Sequence, residues 1–309
     1  MRSAAPLLLV LTLSLTSCSD GDSAARRAAV IDDAVYTTFH PTAWMAQRIA
    51  SGEVAVHCPL PAGVDAIFWR PSREVIKRYQ SARLVVVNGA EFEKWVPGAS
   101  LARSRTVDTA ASFKDQFITI EGVTHSHGGS EGTEHTHEGT DGHTWVAPEL
   151  AKLQARAIAD AMKKAWPEHA AAFDQGLADA MTDLERLRVQ LVELTPKLKG
   201  VTLLASHPAY NYLARGMGWT IKSLAMDPGS PLPGKTLAEI ALKLQGAGER
   251  RIMLWERAPF PETVGLLQER FNLASVEFSP AENLDAGASG YLDVMMANVK
   301  RLSDALNRP

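Results

Sequence analysis

Two α/β lobes joined by one long helix are the fold this sequence predicts, and three features of the chain predict it. Short apolar runs alternate with helix-spaced segments in the first half, the alternation returns in the second, and a long amphipathic stretch lies between them. In the first half Val35 to Phe39, Val54 to Cys58 and Leu84 to Val87 read as strands, with helices near Thr42 to Ser51 and Ser72 to Gln80. Ser72 stands where an N-cap belongs, with Val75, Ile76 and Tyr79 at helical spacing behind it. In the second half Val201 to Ala205, Thr220 to Leu224, Arg251 to Trp255 and Val276 to Phe278 read as strands. Helices are expected near Lys235 to Gln245, Pro261 to Arg270 and Gly290 to Asn307. Between the halves, Phe173, Leu177, Leu184, Leu187, Leu191 and Leu194 recur at spacings of three, four or seven. A helix from Glu168 to Leu194 would span about 40 Å at ~1.5 Å per residue, long enough to act as a spine and not a floppy hinge.

Composition sets outer limits on function. The 309 residues carry 32 Lys and Arg against 35 Asp and Glu, a net charge of −3, which argues against a general nucleic-acid binder. Two cysteines are too few for a disulfide scaffold. Arg2 followed by the apolar run Ala4 to Leu15 reads as a signal-peptide core, too short to span a bilayer comfortably. The run closes on Leu15-Thr16-Ser17-Cys18, which resembles a bacterial lipobox, so Cys18 is the expected lipidation site and Cys58 is left without a disulfide partner. The expected organisation is a signal peptide over 1–17, a tether over 18–29, an N-terminal lobe over 30–167, a linking helix over 168–197 and a C-terminal lobe over 198–309.

Five of the nine histidines lie between His125 and His143, among Gly, Thr and acidic residues with no apolar period. Such a tract cannot offset its ordering entropy by burial, so 124–142 is expected to be a mobile loop. His125, His127, His135 and His137 form two His-x-His pairs suited to loose capture of Zn, Cu or Ni ions.

Beyond the loop, Asp141-Gly142-His143-Thr144-Trp145-Val146-Ala147-Pro148-Glu149 matches a D-x-H-x-W-x-x-P-E signature. Thr37-Thr38-Phe39-His40-Pro41, the stretch Asn88 to Trp95, read as strand, turn and helix, and Ala205-Ser206-His207-Pro208-Ala209-Tyr210 follow in matching order. Together these motifs resemble the metal-specific solute-binding lipoproteins of ABC transporters, the cluster A-I or TroA-like superfamily, and within it the zinc-uptake (ZnuA-like) branch with its His-rich loop. The resemblance implies two Rossmann-like lobes bridged by the spine helix, a metal cleft between them, and delivery of the ion to a permease driven by a separate ATPase.

Neutral imidazole and carboxylate suit reversible capture of a borderline ion. His143 and His207, one from each half, are the first two expected ligands. The family's first-lobe histidine would stand where this chain has Asp65, which is taken as the third ligand and gives the site harder character, admitting Mn2+ beside Zn2+. His57 and His40 are ranked lower as substitutes. The family's last-lobe aspartate position holds Ser279, a poor ligand, so Glu256 is expected to replace it, with Glu282 ranked behind. No H-E-x-x-H, G-x-S-x-G or Gly-rich phosphate loop is present, and no enzyme is expected. The function predicted is an extracytoplasmic, membrane-anchored, monomeric capture protein for Zn2+ that feeds an ABC permease. A permease-independent metal buffer or adhesin-like lipoprotein is the alternative.

Overall fold

The computed structural model describes residues 31–126, 134–282, 284 and 290–308. Signal peptide, tether and Cys18 therefore lie outside the described residues, as does His127.

Strand β1 (Asp32–Thr37) runs into α1 (His40–Ala50), then β2 (Ala55–His57), α2 (Arg73–Ser81), β3 (Ala82–Val87) and β4 (Thr106–Asp108). The four strands form one sheet in the order β2-β1-β3-β4, every pairing parallel. Ser72 caps α2 as its position predicts, accepting from the Val75 N–H at 3.4 Å. The stretch after β3 does not enter an α-helix. Gly89, Ala90 and Glu91 all take positive φ, and a short 3-10 turn at Val96–Gly98 follows. The turn is anchored by the buried Glu93 carboxylate, which accepts from the Thr38 hydroxyl at 2.5 Å and the Asn88 N–H at 2.6 Å, tying the ends of β1 and β3.

The tract expected as a mobile loop carries two strands, β5 (Thr119–Ser126) and β6 (Glu134–Thr140), paired antiparallel with His125 opposite His135 and Val123 opposite His137. An antiparallel ladder satisfies backbone groups whether or not one face is apolar, so a reading keyed to apolar period misses it. Helix α3 (Pro148–Ala165) follows, then the spine α4 (Ala170–Leu194), 25 residues long. The second sheet is built from β7 (Thr202–Ala205), α5 (Asn211–Met217), β8 (Ile221–Ser223), α6 (Gly234–Lys243), β9 (Arg251–Trp255), α7 (Pro261–Phe271) and β10 (Leu273–Glu277), and α8 (Tyr291–Leu306) closes the chain. Its order is β10-β9-β7-β8, again all parallel.

Helix α4 packs on α1 and α3 of the first lobe and on α8 of the second. Its buried face is Phe173, Gly176, Ala180, Leu184, Leu187, Leu191 and Leu194. Leu177 is partly buried and packs against the same core, while at Gly176 beside it the α1 backbone comes close. One apolar core runs through both lobes beneath this helix, from Val35 and Val86 to Leu203, Leu254 and Val299, and a smaller core around Met253 and Leu267 lies in the second lobe. All the parallel strands end toward the segments that carry the expected ligands, which is where open α/β sheets place ligand sites.

A Cβ at Gly176 would meet the Ile49 carbonyl oxygen at 2.4 Å and the Arg48 carbonyl oxygen at 2.6 Å, both backbone atoms of α1. Helix propensity alone would make Gly176→Ala stabilising by about 1 kcal/mol. The close approach reverses that sign, and the variant is expected to lose about 1–3 kcal/mol of unfolding free energy by overpacking. Urea denaturation of the two proteins measures the difference. A more stable alanine variant would contradict the close packing of α1 on α4.

Candidate metal centre

His143 precedes a 3-10 turn at Thr144–Val146 that leads into α3. The Asp-x-His spacing explains its orientation. Asp141 Oδ1 accepts both the His143 backbone N–H at 3.0 Å and Nδ1 at 2.7 Å, so the ring is fixed with Nε2 pointing away. A carboxylate on the far nitrogen of a ligating imidazole is the usual means of setting its direction. From below, Asn88 Nδ2 donates to the Gly142 carbonyl at 2.9 Å, while its Oδ1 accepts from Gln154 at 2.8 Å. Gly142 is itself required there, since a Cβ would lie 2.9 Å from that of Phe92.

Three further groups from the second lobe face this imidazole. His207, just past the end of β7 and 2% exposed, lies with its ring centroid 5.4 Å from that of His143. Two imidazoles bound through nitrogen to one tetrahedral zinc, with bonds of about 2.0–2.1 Å, have centroids about 5 Å apart, so the spacing fits a shared ion. Glu282 brings Oε1 to 2.9 Å from His143 Nε2. Nε2 itself is buried. Ligand atoms on one zinc are about 3.3 Å apart, so little movement would admit an ion between them. Glu256 directly follows β9 and feels the charges of Glu282, Arg257, Asp65 and His143.

The chain reaches Glu282 by a pinned turn. Ser279, at the family's aspartate position, uses its hydroxyl to accept from the Ala281 N–H at 3.1 Å. Its backbone is held on both sides by Asn298. Ala281 has φ 58, and Trp145 Nε1 of the first lobe donates to the Pro280 carbonyl at 2.7 Å. Glu282, ranked behind Glu256 in the sequence, brings its carboxylate to the Nε2 side of His143. The available signal was a carboxylate two residues past the proline that ends the last strand segment.

Asp65 lies in the turn after β2, where Oδ1 accepts from the Ile67 N–H at 2.8 Å and the Phe68 N–H at 3.3 Å. One of its oxygens is therefore engaged by backbone, though its charge reaches Glu256. His57 sits exposed in edge strand β2, its ring centroid 4.9 Å from that of Tyr36. His40 opens α1, and burial lowers its pKa. Among the described residues, no three His, Cys, Asp or Glu side chains are drawn together tightly enough to grip an ion as they stand.

Burial works against a proton on His143, but the Asp141 and Glu282 carboxylates outweigh it and push its pKa up to about 10. Burial raises Glu256 to about 8, and the Glu282 charge adds to the effect. Both shifts favour the proton-loaded forms of His143 and Glu256 near neutral pH. An ion entering here must displace those protons.

A two-lobed α/β binding protein with histidines and carboxylates converging at its strand ends is the class these features define. The family model described as "Zinc-uptake complex component A periplasmic" matches residues 35–305, and the chain belongs to that family. It is 25% identical over 283 residues to zinc-binding protein AdcA of Streptococcus pyogenes serotype M3, covering 87% of this chain and 55% of that protein. The chain thus spans about half the length of those relatives. It is also 25% identical over 244 residues to the metal ABC transporter substrate-binding lipoprotein FimA of Streptococcus parasanguinis, covering 75% of each. Its fold superposes on the metal-dependent lipoprotein YcdH of Bacillus subtilis with a TM-score of 0.74 at 21% identity, over 88% of this chain and 98% of that one. The fold also matches FpvC of Pseudomonas aeruginosa, solved with Mn2+, at a TM-score of 0.69 and 19% identity, over 89% and 99%.

Metal binding to this centre is expected to release between one and two protons at pH 7, from His143 and Glu256, and to tighten as pH rises from about 6 to 9. Calorimetry of zinc binding in buffers of different ionisation enthalpy counts these protons. An enthalpy independent of buffer would mean that the imidazole is already neutral and the proton-loaded description is wrong.

Proposed function

We propose that this protein captures a divalent metal ion outside the cytoplasm, Zn2+ before Mn2+, and delivers it to an ABC permease driven by a separate ATPase. The observation that carries this reading is the 5.4 Å approach of the His143 and His207 rings from two different lobes, with Glu282 2.9 Å from His143 Nε2. Two imidazoles and a carboxylate match the preference of zinc for nitrogen with hard oxygen. Glu256 and Asp65 supply further negative charge beside the ion, and either can complete its shell after a side-chain rotation. Membership of a zinc-uptake family and the likeness to FimA support transport, and family members described as periplasmic support an extracytoplasmic place. No helix among the described residues is long and apolar enough to cross a membrane, and anchoring is proposed through lipid on Cys18. The chain acts as a monomer in this reading.

The β5–β6 hairpin has a separate role. The register sets His125 against His135, with His137 two residues further along the same strand, and these histidines together with His127 bind additional ions weakly and raise the local metal supply.

Replacing His143 or His207 with Ala is expected to weaken zinc binding by orders of magnitude while the fold is kept, measured by competition with a chromophoric chelator. Deleting 124–140 should remove weak sites and spare the tight one, because Asp141 and His143 lie beyond the deletion. Unchanged affinity in both histidine variants would reject the cleft site, and loss of tight binding in a folded deletion would place a primary ligand in the hairpin.

A further inference from the structure

We propose that Asn211 and Tyr212, the first two residues of α5, are positioning residues that hold the His143 imbidazole in its binding orientation from the opposite lobe. The inference rests on the metal-centre reading above and deepens it. Asp141 is fully buried, and one of its oxygens is occupied by the His143 backbone and ring. The other oxygen, Oδ2, accepts from Asn211 Nδ2 at 2.9 Å. The Tyr212 hydroxyl donates to the Asp141 backbone carbonyl at 2.8 Å and accepts from the Ile118 N–H at 3.1 Å. One turn further along α5, Arg215 Nη1 donates to the Gln116 carbonyl at 2.7 Å and its guanidinium lies 5.1 Å over the Tyr212 ring. Three residues of this short helix of the second lobe thus grip two segments of the first.

The consequence follows from where that helix begins. His207 stands four residues before Asn211, and the Asn211 amide also donates to the Pro208 carbonyl at 3.2 Å. One short segment, 207–212, therefore presents one imidazole directly and aims the other through Asp141. Any separation of the lobes in this region frees Asp141 from Asn211 and Tyr212, so that His143 loses its orientation as His207 withdraws. Metal release is coupled to lobe separation by this clasp, and its main effect falls on the dissociation rate.

Zinc binding to the full protein, by equilibrium competition and by stopped-flow transfer to a chromophoric chelator, tests the clasp. Asn211→Ala is expected to weaken binding by about 10-fold, within the range for loss of an outer partner of a ligating histidine, mostly through faster dissociation. Tyr212→Phe, which keeps the ring in place, should act in the same direction. In an Asp141→Ala background, Asn211→Ala should add less than about 2-fold, because the two residues act through one path. Full additivity, or unchanged affinity in both single variants, overturns the proposal. The failures are separable: if His143→Ala abolishes tight binding while the α5 variants do not weaken it, only the clasp is wrong. If His143→Ala binds like wild type, the metal-centre reading falls and the clasp with it.

Discussion

A buried imidazole between two carboxylates needs more than apolar packing to hold it, because each charge must find a partner or the group is expelled from the interior. Asp141 and Glu282 supply those partners to His143, one from each lobe, and their arrangement constrains much of the surrounding structure. Gly142 must be small to pass Phe92, Asn88 must face the Gly142 carbonyl, and the turn at Ala281 must adopt left-handed backbone to bring Glu282 inward. Trp145 then joins the two sides, with its ring 5.4 Å from His143 and its N–H on Pro280. Tyr291 of α8 returns the link by donating to the Trp145 carbonyl at 2.8 Å.

The scaffold allows this because its lobes are not independent beads. Helix α4 buries one face against both, and a single apolar core passes beneath it. Buried cross-lobe hydrogen bonds then tie the strand ends of the two lobes together near the site. A centre assembled from two sheets but resting on one core can change its ligand distances by tenths of an ångström at modest cost.

Most of the architecture was legible because it rests on local periodicity. The parallel strands, the Ser72 cap and the spine helix follow from apolar spacing and capping chemistry. The hairpin was not legible, since its strands satisfy backbone groups with few apolar side chains. The close approach of α1 to Gly176 was not legible either, since it depends on a contact between residues far apart in the chain. At the centre, His143 and His207 were readable from their motifs, whereas the use of Asp65 Oδ1 by the Ile67 and Phe68 N–H groups is a property of turn geometry. The prominence of Glu282 is a long-range result, since only the fold brings residues 143 and 282 together. Asn211 carried no signal at all in the sequence, for the same reason.

The central claim is that one ion is shared by imidazoles from both lobes and a carboxylate from the second. Crystals grown with zinc and measured at its absorption edge test it most directly through the anomalous difference map. The account predicts one strong peak between the lobes, about 2.0–2.2 Å from nitrogen atoms of His143 and His207 and from an oxygen of Glu282. Strong peaks confined to the β5–β6 hairpin, with none between the two histidines, would contradict it.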